Sequence, residues 1–374
     1  MTRVLGGVAV AVIAATPGLA GGIERTTQSA QVLFEKGNYA EFSVASVKPT
    51  LDGEDVLDNE ISNVTDRYGL ASAALKFNIN ETLDAAIIFD KPFGADVKYR
   101  YDGVLPFQPA LLDGTSAYAN TSAITGLLKY KFNENFSAYG GIRAQQAYGE
   151  ITLGGAAYGP FSGYNVELDR DQAFGYVAGV AYERPDIAMR IAFTYNSEIE
   201  HNMDTTESGA LPFLNGTSKT KVKTPESFNL EFQSGIAADT LLFGSIRHVK
   251  HSQFRLDPEL FVAQVPGGLI DLNDTTTYRL GIGRKFNEKW SGAITLAYED
   301  ADDKLVSPLA PSTGFKQISI GATYKATPML ELSGGISYTM VGDANPETGT
   351  PDTARAEFDN NDVVGIGFKV AYRF

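Results

Sequence analysis

The sequence contains no cysteine. That removes disulfides, thiol nucleophiles and thiolate metal sites, and it suits an oxidising compartment, where a stray thiol is a hazard. Only three histidines occur, His201, His248 and His251. The last two are separated by an odd number of residues, so a regular strand turns them to opposite faces and disfavours a shared metal site. No Gly-x-Ser-x-Gly elbow and no EF-hand pattern is present. No catalytic residue, metal or cofactor is therefore assigned, and the chain does not read as an enzyme. Basic residues are outnumbered, 31 Lys and Arg against 45 Asp and Glu, for a formal charge of −14. Phosphate recognition needs the opposite sign, which argues against nucleic acid as a partner. Past Ala20 there is no run of 18 apolar residues, whereas a spanning helix needs about 20. If the mature chain crosses a membrane it must do so as a closed barrel, because an open sheet leaves its edge groups unsatisfied in lipid.

What is present begins with a leader. Arg3 precedes an apolar core from Val4 to Ala15, and Gly18-Leu19-Ala20 supplies small residues at a cleavage site. Residues 1–20 read as a secretory signal peptide. Beyond them the dominant period is two. Val364, Ile366, Phe368, Val370, Tyr372 and Phe374 alternate with Gly365, Gly367, Lys369, Ala371 and Arg373. Met189, Ile191, Phe193 and Tyr195 alternate with Ala188, Arg190, Ala192 and Thr194, and many further segments repeat the pattern. Mid-strand charges always fall on the small-residue face. A dry core does not explain that, whereas a lumen behind a lipid-facing wall does.

Short polar turns, such as Asn133-Glu134-Asn135 and Asn287-Glu288-Lys289, alternate strictly with longer stretches near 48–66, 99–121, 154–165, 200–220, 255–275, 300–312 and 343–360. Tight ends on one side and long ends on the other are the outer-membrane layout. The spacing predicts strands over 39–47, 67–77, 82–98, 122–132, 136–153, 166–182, 187–199, 221–237, 240–254, 276–286, 290–299, 313–325, 329–342 and 361–374. The expected fold is all-β: a 14-stranded antiparallel transmembrane β-barrel over 39–374, with residues 21–38 as a short N-terminal plug containing Leu33 and Phe34.

Several motifs resemble one family. The run Leu33-Phe34-Glu35-Lys36-Gly37-Asn38-Tyr39-Ala40-Glu41-Phe42-Ser43 resembles the entry to the first strand in alphaproteobacterial members of the FadL-type long-chain fatty acid transporter family. Asp90-Lys91-Pro92-Phe93-Gly94 resembles that family's kink in the third strand, and Lys223-Thr224-Pro225-Glu226-Ser227-Phe228 its entry to the eighth. The terminal Tyr372-Arg373-Phe374 resembles the signal read by the barrel-assembly machinery. The Asn-Pro-Ala motif and longer plug of fuller members are missing. The resemblance implies an integral outer-membrane protein, among lipid and lipopolysaccharide, that passively takes up long-chain fatty acids or hydrocarbons. It also implies a lateral gate at Pro92, Phe93 and Gly94, where a residue without an N–H interrupts the wall; the plainer alternative is a bulge that only adjusts curvature.

Ligand contacts are expected from two sets of residues. Lumen-facing cations suited to a carboxylate are Arg143, Arg190 and Arg279, which equally suit ion pairs bracing the lumen. Apolar loop residues are Phe107, Leu111, Phe213 and Phe261, which serve either a capture surface or a packed cap. A general diffusion porin is the competing class, and it predicts large conductance steps. An outer-membrane hydrolase is a third.

Overall fold

The computed structural model describes residues 23–301, 305–349 and 351–374; the expected leader lies outside them. The chain forms a closed barrel of fourteen antiparallel wall strands. They are β1 (Tyr39–Thr50), β2 (Tyr68–Asn78), β3 in two parts (Leu83–Asp90 and Gly94–Lys98), β4 (Ser116–Lys131), β5 (Phe136–Leu153) and β6 (Tyr164–Arg184). Next come β7 in two parts (Met189–Asn196 and Ile199–Ser208), β8 in two parts (Gly216–Thr224 and Ser227–Ala237) and β9 (Thr240–Val249). The wall ends with β10 (Thr275–Lys285), β11 (Trp290–Glu299), β12 (Thr313–Lys325), β13 (Leu330–Gly342) and β14 (Asp362–Arg373). β14 pairs with β1 from Tyr39↔Arg373 to Thr50↔Asp362, which closes the cylinder.

The large apolar face points out. Ile366, Phe368 and Val370 are 46%, 61% and 45% exposed, while Gly365, Gly367 and Ala371 between them are buried. A soluble core would reverse this, so lipid is the environment that takes up the outer face. Aromatic rings gather at both rims, with Phe136–Tyr182 and Trp290–Tyr324 at the short-turn end and Tyr118–Tyr148 and Tyr176–Tyr195 towards the long loops. The lumen face carries paired charges. Lys369 Nζ lies 3.1 Å from Glu41, and Arg373 joins Glu331 and Glu35 at 2.9 and 2.8 Å.

The short turns share a local device. Asn80, Asn133 and Asn287 each accept two backbone N–H groups through Oδ1, and Thr327 does so through Oγ1. A side chain that mimics the turn carbonyl holds the hairpin without a longer loop. The remaining tight turns place Ala188 and Asp239 at φ 52° and 56°.

One expected loop is mostly strand. Residues 200–220 continue the wall as a hairpin in register from Ile199↔Thr224 to Glu207↔Gly216. Ile199, His201, Met203, Thr205 and Glu207 are buried, alternating with exposed polar residues. The alternation is real, but His, Thr and Glu on the buried face disguise it. β4 likewise begins at Ser116, before the expected 122, and β9 stops at Val249, where a short 3-10 turn (His251–Gln253) takes over the expected 250–254. Residues 23–38 run inside the barrel. Leu33 is fully buried, and the Phe34 ring lies between Lys129 and Arg190, with the cations 4.4 and 4.5 Å from its centre.

Candidate functional site

The site starts with a proline in a wall. From Asp90↔Ala123 to Gly94↔Asn120, four steps along β3 answer three along β4, so the strand bulges at Lys91–Phe93. On its other edge, β3 pairs with β2 only from Asn78↔Asp84 to Ala73↔Phe89. No ladder joins Gly94–Lys98 to β2, and the next link is the isolated bridge Thr65↔Val97. The wall therefore has a window between residues 68–72 and 90–96.

The N-terminal segment lines that window from inside. Arg25 N and Thr26 N donate to Pro92 O at 2.8 and 3.3 Å, and Gly94 N donates to Ile23 O at 2.7 Å. Thr121 Oγ1 accepts from Phe93 N at 2.9 Å and donates to Phe93 O at 2.7 Å. The groups freed by the bulge are thus satisfied by a tether on one side and by Thr121 of β4 on the other, whose N–H also donates to Phe93 O at 3.2 Å. Gly94 permits the approach, since a Cβ there would stand 3.0 Å from Ala119 O and 3.3 Å from Arg25 Nε. Arg25 spans the opening. Its Nε donates to Gly94 O on β3 at 3.1 Å, and its guanidinium stacks 3.7 Å over the Tyr68 ring on β2.

Beside the window lies an apolar cavity of about 60 Å³. Ile23 and Phe93 form its window side, Met203 and Val222 come from the β7–β8 hairpin, and Phe254 and Leu309 descend from loops. They belong to a larger buried cluster that includes Phe261, whose ring packs on Phe161 and Tyr164. Below the cavity the lumen turns polar. Arg247 pairs with Glu24 and donates to Asn229 Oδ1 at 2.6 Å, Gln28 Oε1 at 3.0 Å and Ser227 Oγ at 3.1 Å. Thr26 donates to Asp90 at 2.7 Å, and Ser29 and Gln31 donate to Glu231 at 2.7 and 3.0 Å.

Of the expected site residues, Pro92, Phe93 and Gly94 stand together at the window, and Phe261 lies in the cluster that encloses the cavity. Arg143, Arg190 and Arg279 all face the lumen but are spread over β5, β7 and β10. Arg143 Nε donates to Thr125 at 2.9 Å, and Arg190 Nη2 to Gln233 at 3.1 Å. Arg279 Nε has no hydrogen-bond partner among the described residues. Leu111 is buried in a second cap cluster with Leu112 and Tyr99. Phe107 and Phe213 are solvent-exposed. The sequence pattern did not single out Ile23, Met203, Phe254 or Leu309; Met203 sits on the alternation of 199–207 that its polar companions disguise, and no strand period marks the other three.

A larger groove of about 670 Å³ opens on the outer loops, but Asp52, Glu54, Asp58, Glu60, Asp102 and Glu357 line it, so it does not suit an apolar ligand. Within it Asp55 is buried, which by itself would raise its pKa. Hydrogen bonds from the Asn59 side chain and from the Asn59, Leu57 and Leu111 amides outweigh burial and hold the carboxyl below its ordinary value. Among the described residues no group of three or more His, Asp or Glu is arranged to hold a metal.

A family model described as outer membrane protein transport protein (OMPP1/FadL/TodX) matches residues 14–374. Solved structures share the fold. A Pseudomonas aeruginosa FadL homologue superposes with a TM-score of 0.71 at 16% identity, covering 96% of this chain and 97% of that one. The Pseudomonas putida toluene transporter TodX gives 0.63 at 12% identity, covering 100% and 99%. The Ralstonia pickettii toluene transporter TbuX gives 0.63 at 12% identity, covering 100% of both chains. Comparison with the curated proteins finds no match.

Proposed function

Since the chain belongs to the OMPP1/FadL/TodX family of outer-membrane transport proteins, we propose that it carries long-chain fatty acids or other hydrophobic compounds inward by passive diffusion and releases them sideways, through the window at β3, into the bilayer. One observation carries this reading: the apolar cavity abuts the window, and Ile23 and Phe93 belong to both. An apolar solute gains nothing from crossing the polar band below, where Glu24, Arg247 and Glu231 stand. The outward route past Phe93 has Arg25 as its charged bar and leads to lipid, where burial of each CH₂ gains about 0.8 kcal/mol.

Residues 21–38 serve as the plug, with Arg25 as the bar across the window and Leu33 and Phe34 anchoring the periplasmic end. Residues 1–20 serve as the leader. Phe261, with Leu111, Phe107 and Phe213 above it, guides ligand from the outer surface, where lipopolysaccharide is the neighbour. Arg143, Arg190 and Arg279 meet a charged head group if the ligand has one. Phe374, half exposed at the rim, presents the barrel to the assembly machinery.

The test is uptake of labelled oleate and labelled toluene by cells carrying this chain as their sole transporter of the family. Wild type takes up one or both. Pro92→Ala, which restores an N–H and lets β3 regularise, slows uptake severalfold while the barrel still inserts. Unchanged uptake by a correctly inserted Pro92→Ala barrel ends the lateral route. Equal uptake with and without the chain ends the transport reading.

A further inference from the structure

We propose that Thr121 is a positioning residue of the lateral route, an inference that rests on the reading of the β2–β3 window as the ligand exit. Its hydroxyl, reaching from β4 into the lumen, holds the Phe93 backbone inward of the wall and so keeps the window open to the bilayer.

The register gives Thr121 a special place. β3 and β4 pair as far as Asp90↔Ala123 and resume at Gly94↔Asn120. Thr121 and Ser122 therefore have no ladder partner on β3, and the bulge at Lys91–Phe93 lies across from them. The Thr121 side chain faces the lumen. It is buried together with Ala123 and Thr125, whereas Ile124 is exposed to lipid, and it lines the apolar cavity. From there Oγ1 accepts from Phe93 N at 2.9 Å and donates to Phe93 O at 2.7 Å. Thr121 N donates to the same oxygen at 3.2 Å. One residue thus holds both backbone groups of Phe93.

Ladder hydrogen bonds run along the sheet from strand to strand, whereas side chains stand roughly perpendicular to it. A backbone tied to a lumen-facing hydroxyl is therefore drawn off the wall, towards the barrel axis. Phe93 is buried and lines the cavity, as that displacement requires. Pro92 O and Gly94 N turn inward beside it, to the tether. Two anchors thus hold the bulge clear of β2, and Thr121 is the one that belongs to the wall, fixed by its ladder to β5 at Thr121↔Ala147. The chemistry selects the residue type. Phe93 offers one N–H and one C=O to the same point, and a hydroxyl is a short side-chain group that both accepts and donates. Valine has the shape without the hydrogen bonds, and serine the hydrogen bonds without the methyl. With the hydroxyl gone, Phe93 N becomes a buried donor without an acceptor, and returning β3 to the plane of the wall is the way to pair it. That return narrows the window.

The experiment uses the full chain in proteoliposomes, with Ala95→Cys as a reporter in the cavity lining and no other thiol in the sequence. The probe is a maleimide attached to a phospholipid acyl chain, which approaches from the bilayer alone. Thr121→Val is expected to slow labelling about tenfold, the factor that corresponds to one buried amide left without its partner. Thr121→Ser is expected to keep the rate seen with threonine, which restored packing alone would not explain. Heat-modifiability identifies the folded barrels. If Thr121→Val does not fold, Thr121→Ala is read in its place; if neither folds, the hydroxyl serves the wall as a whole and the inference is overturned. A folded Thr121→Val barrel that labels as fast as the threonine barrel overturns it, and so does Thr121→Ser labelling as slowly as Thr121→Val. Both of those results leave the window standing as the exit. A threonine barrel whose reporter never meets the lipid probe, yet reacts once unfolded, removes the lateral route itself.

Discussion

Two faces of the barrel satisfy their backbones in different ways. From β10 to β13 the ladders run on with a single slip, between Thr313 and Phe315; Ile294, for instance, sits between Ile282 on β10 and Ile320 on β12. Every N–H there that faces a neighbour finds it in the wall. On the β2–β3 face the ladder stops at Ala73↔Phe89, and Pro92 O and Gly94 N turn inward to residues 23–26. The first face is closed by ladder hydrogen bonds, strand to strand. The second is closed by a segment that can, in principle, leave without undoing a hairpin. In lipid an unpaired backbone group costs several kcal/mol, so a removable closure is tolerable only where water or a ligand can replace it. The difference places the break in the ladder more firmly than proline alone.

The largest effect should come from moving the defect. Ile294→Pro removes a ladder donor from the continuous face, with nothing inside to compensate. Loss of several kcal/mol is expected to abolish assembly, seen as absence of the heat-modifiable folded band, whereas Pro92→Ala assembles normally. If Ile294→Pro folds like wild type, the two faces are not different in kind.

Next in size is the tether itself. Arg247→Ala strips Glu24 and Gln28 of a shared partner and leaves a buried carboxylate unpaired, a change of about 3–5 kcal/mol for such pairs. The other two bonds of Arg247 go to the Ser227 and Asn229 side chains of β8, whose backbone ladders are made without it, so the barrel should retain its heat-modifiable band. A spin label at Thr26→Cys, clean because the chain has no cysteine, should become mobile in Arg247→Ala. A label that stays immobile would mean the segment is held by Leu33 and its apolar neighbours alone. Arg25→Ala should act in the same direction with a smaller amplitude, since it removes one backbone hydrogen bond and one ring contact, roughly 1–2 kcal/mol together.

The two faces also differ in how much the sequence discloses. The continuous face is legible because large apolar residues alternate with Gly, Ala, Ser and Thr, as in 290–298 and 364–374. A lipid-facing wall requires that contrast. The β7–β8 extension was not legible beyond 199, because outside the bilayer its two faces differ only as His, Thr and Met differ from Asn, Asp and Lys. The break at Pro92 could be read from one residue. Its filling could not: Ile23, Glu24, Arg25 and Thr26 have no period, and their partners lie about seventy positions away or, for Arg247, more than two hundred. The cavity follows the same rule. Phe254, Ile270 and Leu309 arrive from loops whose path is set by tertiary packing, so parity says nothing about them. Arg143, Arg190 and Arg279 show the converse: parity placed them in the lumen but gave no reason for them to converge.

The smallest effect concerns the cover over the window face, where the loop after β9 contributes Phe254, Leu256 and Phe261 to the buried cluster. His251 opens that loop. Its ring is buried, neither nitrogen has a hydrogen-bond partner among the described residues, and burial, with Arg247 nearby, lowers its pKa from 6.5 to about 3. The neutral ring is therefore the form the closed loop holds, and the open loop takes up a proton near the ordinary value. Above about pH 6.5 the two states bind the same number of protons and His251 favours neither. As pH falls from there towards 3, the open loop gains a proton that the closed loop lacks, so closure weakens progressively and then levels off. A spin label at Leu260→Cys should gain mobility across that interval, and His251→Phe should remove the pH dependence while keeping the loop packed. The continuous face has no such buried neutral histidine, and a label at Ser337→Cys should report no change over the same range. A loop that loosens identically in His251→Phe would shift the cause to the carboxylates of the outer groove, Asp55 among them. Its depressed pKa stabilises the fold above its ordinary value, and that contribution is lost as pH falls through the lowered one.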